Sequence, residues 1–217
     1  MLKIENDRKV WVTSDTHYSH TNICRGITKW RNLDGTIPLG QTRDFNTLDK
    51  MNEAIVNNIN EVVGQDDVLI HLGDWSFGGF ENIEEFRNRI ICKEIHLTLG
   101  NHDHHIDLNR QNCQSLFNSV QWFLQLQYMG ETMELMHYPI SSWNGLRKGR
   151  IHLHGHCHLP NDKKINNGRR MDVGMDGSLK FRPYDLHQEI MNPMKKIEIG
   201  SELGGLDHHT NEVIIIG

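Results

Sequence analysis

The sequence predicts an α/β fold, on three observations. Short β-prone runs alternate with helical patterns through the first half of the chain. The apolar runs end abruptly in clusters of Asp, Asn and His. The second half then changes to successive strands separated by tight turns.

Each element has a local reason. Val10–Ser14 is a β-prone run that stops at Asp15. Residues 20–44 then form an irregular stretch, much longer than an ordinary strand-to-helix connection and therefore a candidate functional loop. Apolar positions at Leu48, Met51, Ile55, Ile59 and Val62 have the helical period, so residues 47–63 read as a helix that Asn46 or Thr47 can cap. The turn Gly64–Asp67 leads into the strand Val68–Leu72. A Gly-rich loop, a short helix near Ile83–Ile90 and a third strand, Ile95–Leu99, follow. Val120–Met129, Glu131–His137 and Arg150–His154 read as further strands, with Met129-Gly130-Glu131 as a tight connection. Asn166-Asn167-Gly168 has the composition of a hairpin tip ahead of Met171–Gly174. A helix around Asp185–Met191 and a β-like Glu212–Ile216 close the chain. No repeat, low-complexity tract or linker interrupts it, so a single domain over residues 1–217 is expected.

Bulk properties restrict the function without naming it. A net charge of −5 gives no global basic field toward nucleic acid or an anionic membrane. The opening residues lack the apolar run of a signal peptide, and no stretch approaches the ~20 apolar residues of a membrane span. Cys24, Cys92, Cys113 and Cys157 form no CxxC pair and read as reduced thiols, so a cytoplasmic protein is expected.

The chemistry lies where strands end. Asp15-Thr16-His17 follows the first strand, Gly73-Asp74 the second and Gly100-Asn101-His102-Asp103 the third. His137 and Gly155-His156-Cys157-His158 end two later ones. In open α/β sheets ligands bind beyond the carboxyl ends of strands, so five strands deliver carboxylate, amide and imidazole groups to one edge.

In type and order these five blocks resemble the calcineurin-like metallophosphoesterases, over residues 15–158. The resemblance implies a four-layer α/β/β/α sandwich of two mixed sheets with flanking helices, and a dinuclear metal centre. It implies that Asp15, His17 and His158 bind one cation, that Asn101, His137 and His156 bind the other, and that Asp74 bridges them together with a water or hydroxide. His102 would sit over the substrate phosphate as proton donor, with Asp103 orienting its imidazole.

Chemistry supports these assignments. Two cations roughly 3.5–4 Å apart clamp an in-line displacement at phosphorus and acidify water. A mixed imidazole, carboxylate and amide set suits Mn²⁺ first, with Fe, Zn²⁺, Ni²⁺ or Co²⁺ also fitting, ahead of Mg²⁺ or Ca²⁺. If Gly155–His158 is extended, His156 and His158 face one way and Cys157 the other. His152 and His154 are left without a role.

The expected function is therefore metal-dependent hydrolysis of a phosphodiester or phosphomonoester. The alternative is a catalytically silent, metal-binding scaffold of the same fold that mediates protein interactions. Decay of that kind would show as loss of Asp74, Asn101 or His102, and all three are present. Around the blocks, residues 25–43, 138–150 and 161–170 carry basic and aromatic side chains. Arg, Trp and Tyr of this kind hold phosphates and bases, so a nucleotide-containing substrate is expected. Candidate contacts are His20, Arg25, Trp75, Tyr138 and Arg147. A nucleic-acid end has no support from the net charge.

Overall fold

The computed structural model describes residues 1–166 and 168–198. Its first sheet contains β2 (Val10–Thr13), β3 (Val68–His71), β4 (Glu94–Thr98) and β5 (Ser119–Gln121), all parallel, with β11 (Tyr184–Asp185) antiparallel beside β2. The second runs β1 (Leu2–Lys3), β6 (Phe123–Tyr128), β7 (Glu131–Met136), β8 (Ile151–His154), β10 (Arg170–Asp172) and β9 (Ile165–Asn166). There β7, β8 and β10 are mutually parallel, whereas β6 is antiparallel to β7 and β9 to β10.

Strand alternation explains the layers. One face of the first sheet, with Trp11, Leu69, Ile95 and Leu97, packs on helices α1 (Leu48–Val62) and α2 (Phe80–Arg89) through Met51, Ile55, Ile59, Ile83 and Phe86. The other face, with Val10, Val12, Val68 and Ile70, packs on Leu124, Leu126, Met133, Leu135, Ile151 and Leu153 of the second sheet. The strands β2 and β3 are consequently buried along their whole length. Two mixed sheets with flanking helices are the architecture the resemblance implied. On the outer face of the second sheet, Glu134 and His152 are buried beneath the 138–150 segment, whose Trp143 ring lies 5.3 Å from that of His152.

The helix read over 47–63 starts where Thr47 Oγ1 accepts the Lys50 N–H, 3.3 Å away, a cap on the first turn. The 20–44 stretch stays irregular apart from two short 3₁₀ turns, and is tied down by Arg43 N–H to Ile23 O at 2.7 Å. Three expectations need correction. The run 120–129 is two strands in different sheets, β5 and β6, because the chain crosses between sheets at the exposed Trp122. The C-terminal helix is wound as a π-helix, Leu186–Met191, which continues into a short α-turn. Gly155–His158 lies beyond β8 and is not extended. Asn167 at the hairpin tip, the β-like Glu212–Ile216 and the pair His208 and His209 lie outside the described residues.

Candidate metal centre

Parallel pairing places the carboxyl ends of β2, β3 and β4 at one sheet edge, and those of β7 and β8 at one edge of the other sheet. The two edges are stitched together just past β2, where Ser14 N–H donates to Val173 O at 3.2 Å and Met175 N–H to Ser14 O at 3.2 Å. Close approach requires glycine at two points. A Cβ on Gly73 (φ +90°) would lie 2.6 Å from Gly100 N and 2.8 Å from His137 Nδ1, and one on Gly155 would collide with Asp15 and Ser14. The loops turn sharply through left-handed backbone at Asp15 (φ 54°), His17 (49°), Asp74 (56°), His156 (70°) and His158 (49°). Asp, Asn and His tolerate this region better than most residues, and such strain concentrates where a site demands it.

All seven residues expected as metal ligands meet in one cluster. On one side, Asp15 Oδ1 is 3.5 Å from His158 Nε2 and 3.8 Å from His17 Nε2, and the two imidazole Nε2 atoms are 3.2 Å apart. On the other, Asn101 Oδ1 is 3.1 Å from His137 Nε2 and 2.8 Å from His156 Nδ1. Asp74 Oδ2 stands between the halves, 3.6 Å from His17 Nε2 and 3.5 Å from His137 Nε2. Ligand atoms each about 2.0–2.2 Å from a shared ion lie roughly 3–3.5 Å from one another, which these separations approach.

The tautomers and charges also fit divalent cations. His137 Nδ1–H donates to Leu72 O at 2.8 Å and His158 Nδ1–H to Asp176 Oδ2 at 2.6 Å, so both Nε2 lone pairs face the cluster. Burial, reinforced by the Asp15 carboxylate, pushes Asp74 up to about 7. Burial and then the neighbouring His158 drive His17 well below the usual histidine range. A cation would supply positive charge that these crowded carboxylates lack.

Asp176 and Arg43 are functional residues the motif reading missed. Arg43 pairs bidentately with Asp176 at 2.8 and 2.9 Å, and donates to Thr16 O at 2.7 Å and Asp15 O at 2.6 Å. It thereby braces both His158 and the strained Asp15 turn. Burial alone would raise the Asp176 carboxyl, but Arg43 and His158 outweigh it and hold it far below the usual range. Asp176 belongs to no recognisable block; Arg43 was visible only as one base among several.

His102 lies against the cluster, its ring 5.3 Å from that of His17 and its backbone N–H on Asp74 Oδ1 at 2.9 Å. Burial and then the nearby His104 lower its pKa. The expected orienting role of Asp103 is corrected. Its two carboxylate oxygens accept the backbone N–H groups of Asp74 (2.8 Å), Gly100 (2.8 Å) and Trp75 (3.0 Å), so it clamps the metal-facing loops and not the His102 ring.

A cavity of about 640 Å³ opens over the cluster, lined among others by His20, Trp30, Arg43 and Pro160. His20 takes the expected place there, its ring stacked on Phe77 at 3.9 Å and edge-on to Trp30 at 5.8 Å. Burial, then the neighbouring His102, lowers its pKa to about 4. Other substrate expectations need correction. Trp75 is fully buried in the helix-side core. Arg25 is turned into its own loop, onto Thr42 O at 3.0 Å and Asp44 at 2.9 Å. Tyr138 packs on the His156 ring at 4.8 Å, and neither it nor Arg147, on the Leu146–Lys148 turn, lines the cavity. Several arginines of the basic loops cap carbonyls: Arg31 bonds Thr28 O, Arg169 bonds Gly149 O and Arg170 bonds Ile140 O. Among the described residues, Arg43 is the Arg or Lys that lines the cavity.

Comparison with known proteins identifies the family. A family model described as calcineurin-like phosphoesterase matches residues 8–186. The chain is 29% identical over 153 residues to the uncharacterized protein MJ1445 of Methanocaldococcus jannaschii, covering 70% of each. It is 27% identical over 213 residues to the gene 66 protein of Mycobacterium phage D29, covering 86% of this chain and 98% of that one. The crystal structure of AQ665 from Aquifex aeolicus, a protein of unknown function, shares the fold, with a TM-score of 0.57 and 19% identity over 82% of this chain and 95% of that one.

Proposed function

Because the chain belongs to the calcineurin-like phosphoesterase family, we propose that it hydrolyses a phosphodiester or phosphomonoester at a centre of two divalent cations. One observation carries the reading: Asp74 Oδ2 lies midway between two donor sets, 3.6 Å from His17 Nε2 and 3.5 Å from His137 Nε2. Asp15, His17 and His158 would hold one cation, and Asn101, His137 and His156 the other. When bound, such ions supply charge to the phosphoryl oxygens and lower the pKa of a water toward about 7. Mn²⁺ suits the thiolate-free N/O set, as do Fe, Zn²⁺, Ni²⁺ and Co²⁺.

The chain's own groups do the rest. Asp15 and Asp74 bring negative charge that keeps the cations in place. His102, held by its backbone bond to Asp74, directs its imidazole at the leaving oxygen and donates a proton there. Asp103 keeps the Asp74 and Gly100 turns fixed, so this geometry is preorganised. Arg43 is spent on Asp176, which leaves substrate charge to be met by the cations and His102. Half-exposed Trp30 and Phe77 offer flat faces beside the cavity, which supports a substrate carrying a base or another aromatic group.

The test is hydrolysis of bis(p-nitrophenyl) phosphate and p-nitrophenyl phosphate by Mn²⁺-loaded protein. Chelator should abolish turnover, and Asp74→Asn should lower kcat/KM by at least about 100-fold. A folded, metal-loaded protein inactive on both esters with each of the five metals would instead indicate a silent metal-binding scaffold.

A further inference from the structure

The cluster at the end of β8 leaves three ligand-type residues unused: His154, Cys157 and Asp172. We propose that they form a third cation site, built around a thiolate and suited to a zinc-like divalent ion. A ring nitrogen of His154, Cys157 Sγ and a carboxylate oxygen of Asp172 lie within 4.8 Å of one another. None of them belongs to the seven-residue cluster.

His154 gives the site its direction. Its side chain is on the outward face of β8 and only 1% exposed. Nδ1–H donates to Gly155 O at 2.8 Å, so the proton sits on Nδ1 and Nε2 carries a lone pair. Among the described residues that buried Nε2 has no partner. A buried acceptor left unpaired is a standing cost, and a metal-binding histidine typically has its other nitrogen fixed on a carbonyl in this way. Asp172 is equally preset: Gly174 N–H donates to Oδ1 at 2.8 Å and Leu159 N–H to Oδ2 at 3.1 Å, with lone pairs remaining. Cys157 is the exposed cysteine of the chain and lines the cavity, so an ion can enter from solvent and keep an open coordination position.

The donor set separates this site from its neighbour. One nitrogen, one sulfur and one oxygen favour Zn²⁺ or Cd²⁺ over Mn²⁺, whereas the seven-residue cluster contains no thiolate. The two sites adjoin at Gly174, whose missing Cβ would lie 3.0 Å from Asp172 Oδ1 and 3.2 Å from Asp15 Oδ2. Cys157 stands between His156 and His158 in sequence, so an ion on its sulfur anchors the loop that carries both. Binding forms a bond to sulfur and releases the thiol proton to solvent.

Co²⁺ titration of the full chain tests the site without reference to turnover. Wild-type protein should develop a sulfur-to-cobalt charge-transfer band that Zn²⁺ abolishes. Cys157→Ser should lose the band and bind one equivalent less metal. Asp74→Asn, which disables the neighbouring centre, should keep the band. Cys24, Cys92 and Cys113 are buried, so the band reports on Cys157. No band in wild-type protein, a band that survives Cys157→Ser, or equal stoichiometry in the two proteins overturns the proposal. Each readout is independent of whether the protein hydrolyses phosphate esters.

Discussion

Asp176 shows how a side chain outside the motif blocks can brace a candidate metal ligand. It accepts from His158 Nδ1 at 2.6 Å and from Arg43 at 2.8 and 2.9 Å, fixing one imidazole while neutralising a guanidinium that is itself 6% exposed. Asp176→Asn keeps the volume and removes the charge. His158 then loses its ionic partner and Arg43 its bidentate one. Cation affinity should fall by about 10- to 100-fold, with a lower Tm as well. Calorimetric titration with Mn²⁺ reads the first effect, and wild-type affinity in the variant would remove Asp176 from this role. Asp103 is the opposite case, a residue inside a motif whose work is on the backbone. Three N–H groups converge on its carboxylate, an arrangement that needs an acceptor at both oxygens.

At the scale of elements, helix α1 supports the site from behind without entering it. Its buried face, Met51, Ile55 and Ile59, packs on the first sheet, and its first turn is capped by the exposed Thr47. Thr47→Ala should therefore cost about 1 kcal/mol of stability and leave kcat/KM for an aryl phosphate ester unchanged. The midpoint of urea unfolding should drop with the m-value constant; an activity loss without a stability loss would place the cap in the site. The helix was legible because period and cap agree locally. The β5–β6 break was not, since 120–129 is one continuous β-prone run and only pairing shows that Ser119–Gln121 joins β4 while Phe123–Tyr128 joins β1 and β7. The left-handed His156 and His158 were also hidden, because motif spacing says nothing about φ.

At the scale of the whole molecule, two cores and a stitched sheet edge force acidic side chains together. Burial first, and Asp15 second, raise Asp74 to about 7, whereas an unfolded Asp titrates near 3.9. A carboxyl whose folded pKa is raised opposes folding when ionised. Its cost is absent below about pH 4, grows as pH rises and levels off above about pH 7. Metal-free Asp74→Asn should thus be more stable than metal-free wild type at pH 8, by at least about 1 kcal/mol, and the difference should shrink toward pH 4. Saturating Mn²⁺ should reverse the order, because cation binding to the folded state stabilises the wild type by mass action. Denaturant melts at the two pH values, with and without metal, decide it; a variant less stable than metal-free wild type at pH 8 contradicts the account. Among the described residues no helix is long and apolar enough to cross a membrane.

The sequence by itself determined the strand-ending blocks, and the family resemblance they carry singled out the seven side chains that could meet. Apolar runs and their polar stops are local properties, and parallel strands within one sheet send their carboxyl ends to one edge; joining the edges of the two sheets was left to the tertiary structure. Only the tertiary structure decided the surroundings. It buried Trp75 in the core, turned Arg25 into its own loop and put Asp103 on the backbone. It also brought together Arg43 and Asp176, 133 residues apart. Such pairings follow from how two sheets pack and where an irregular loop returns. Neither leaves a periodic trace along the chain.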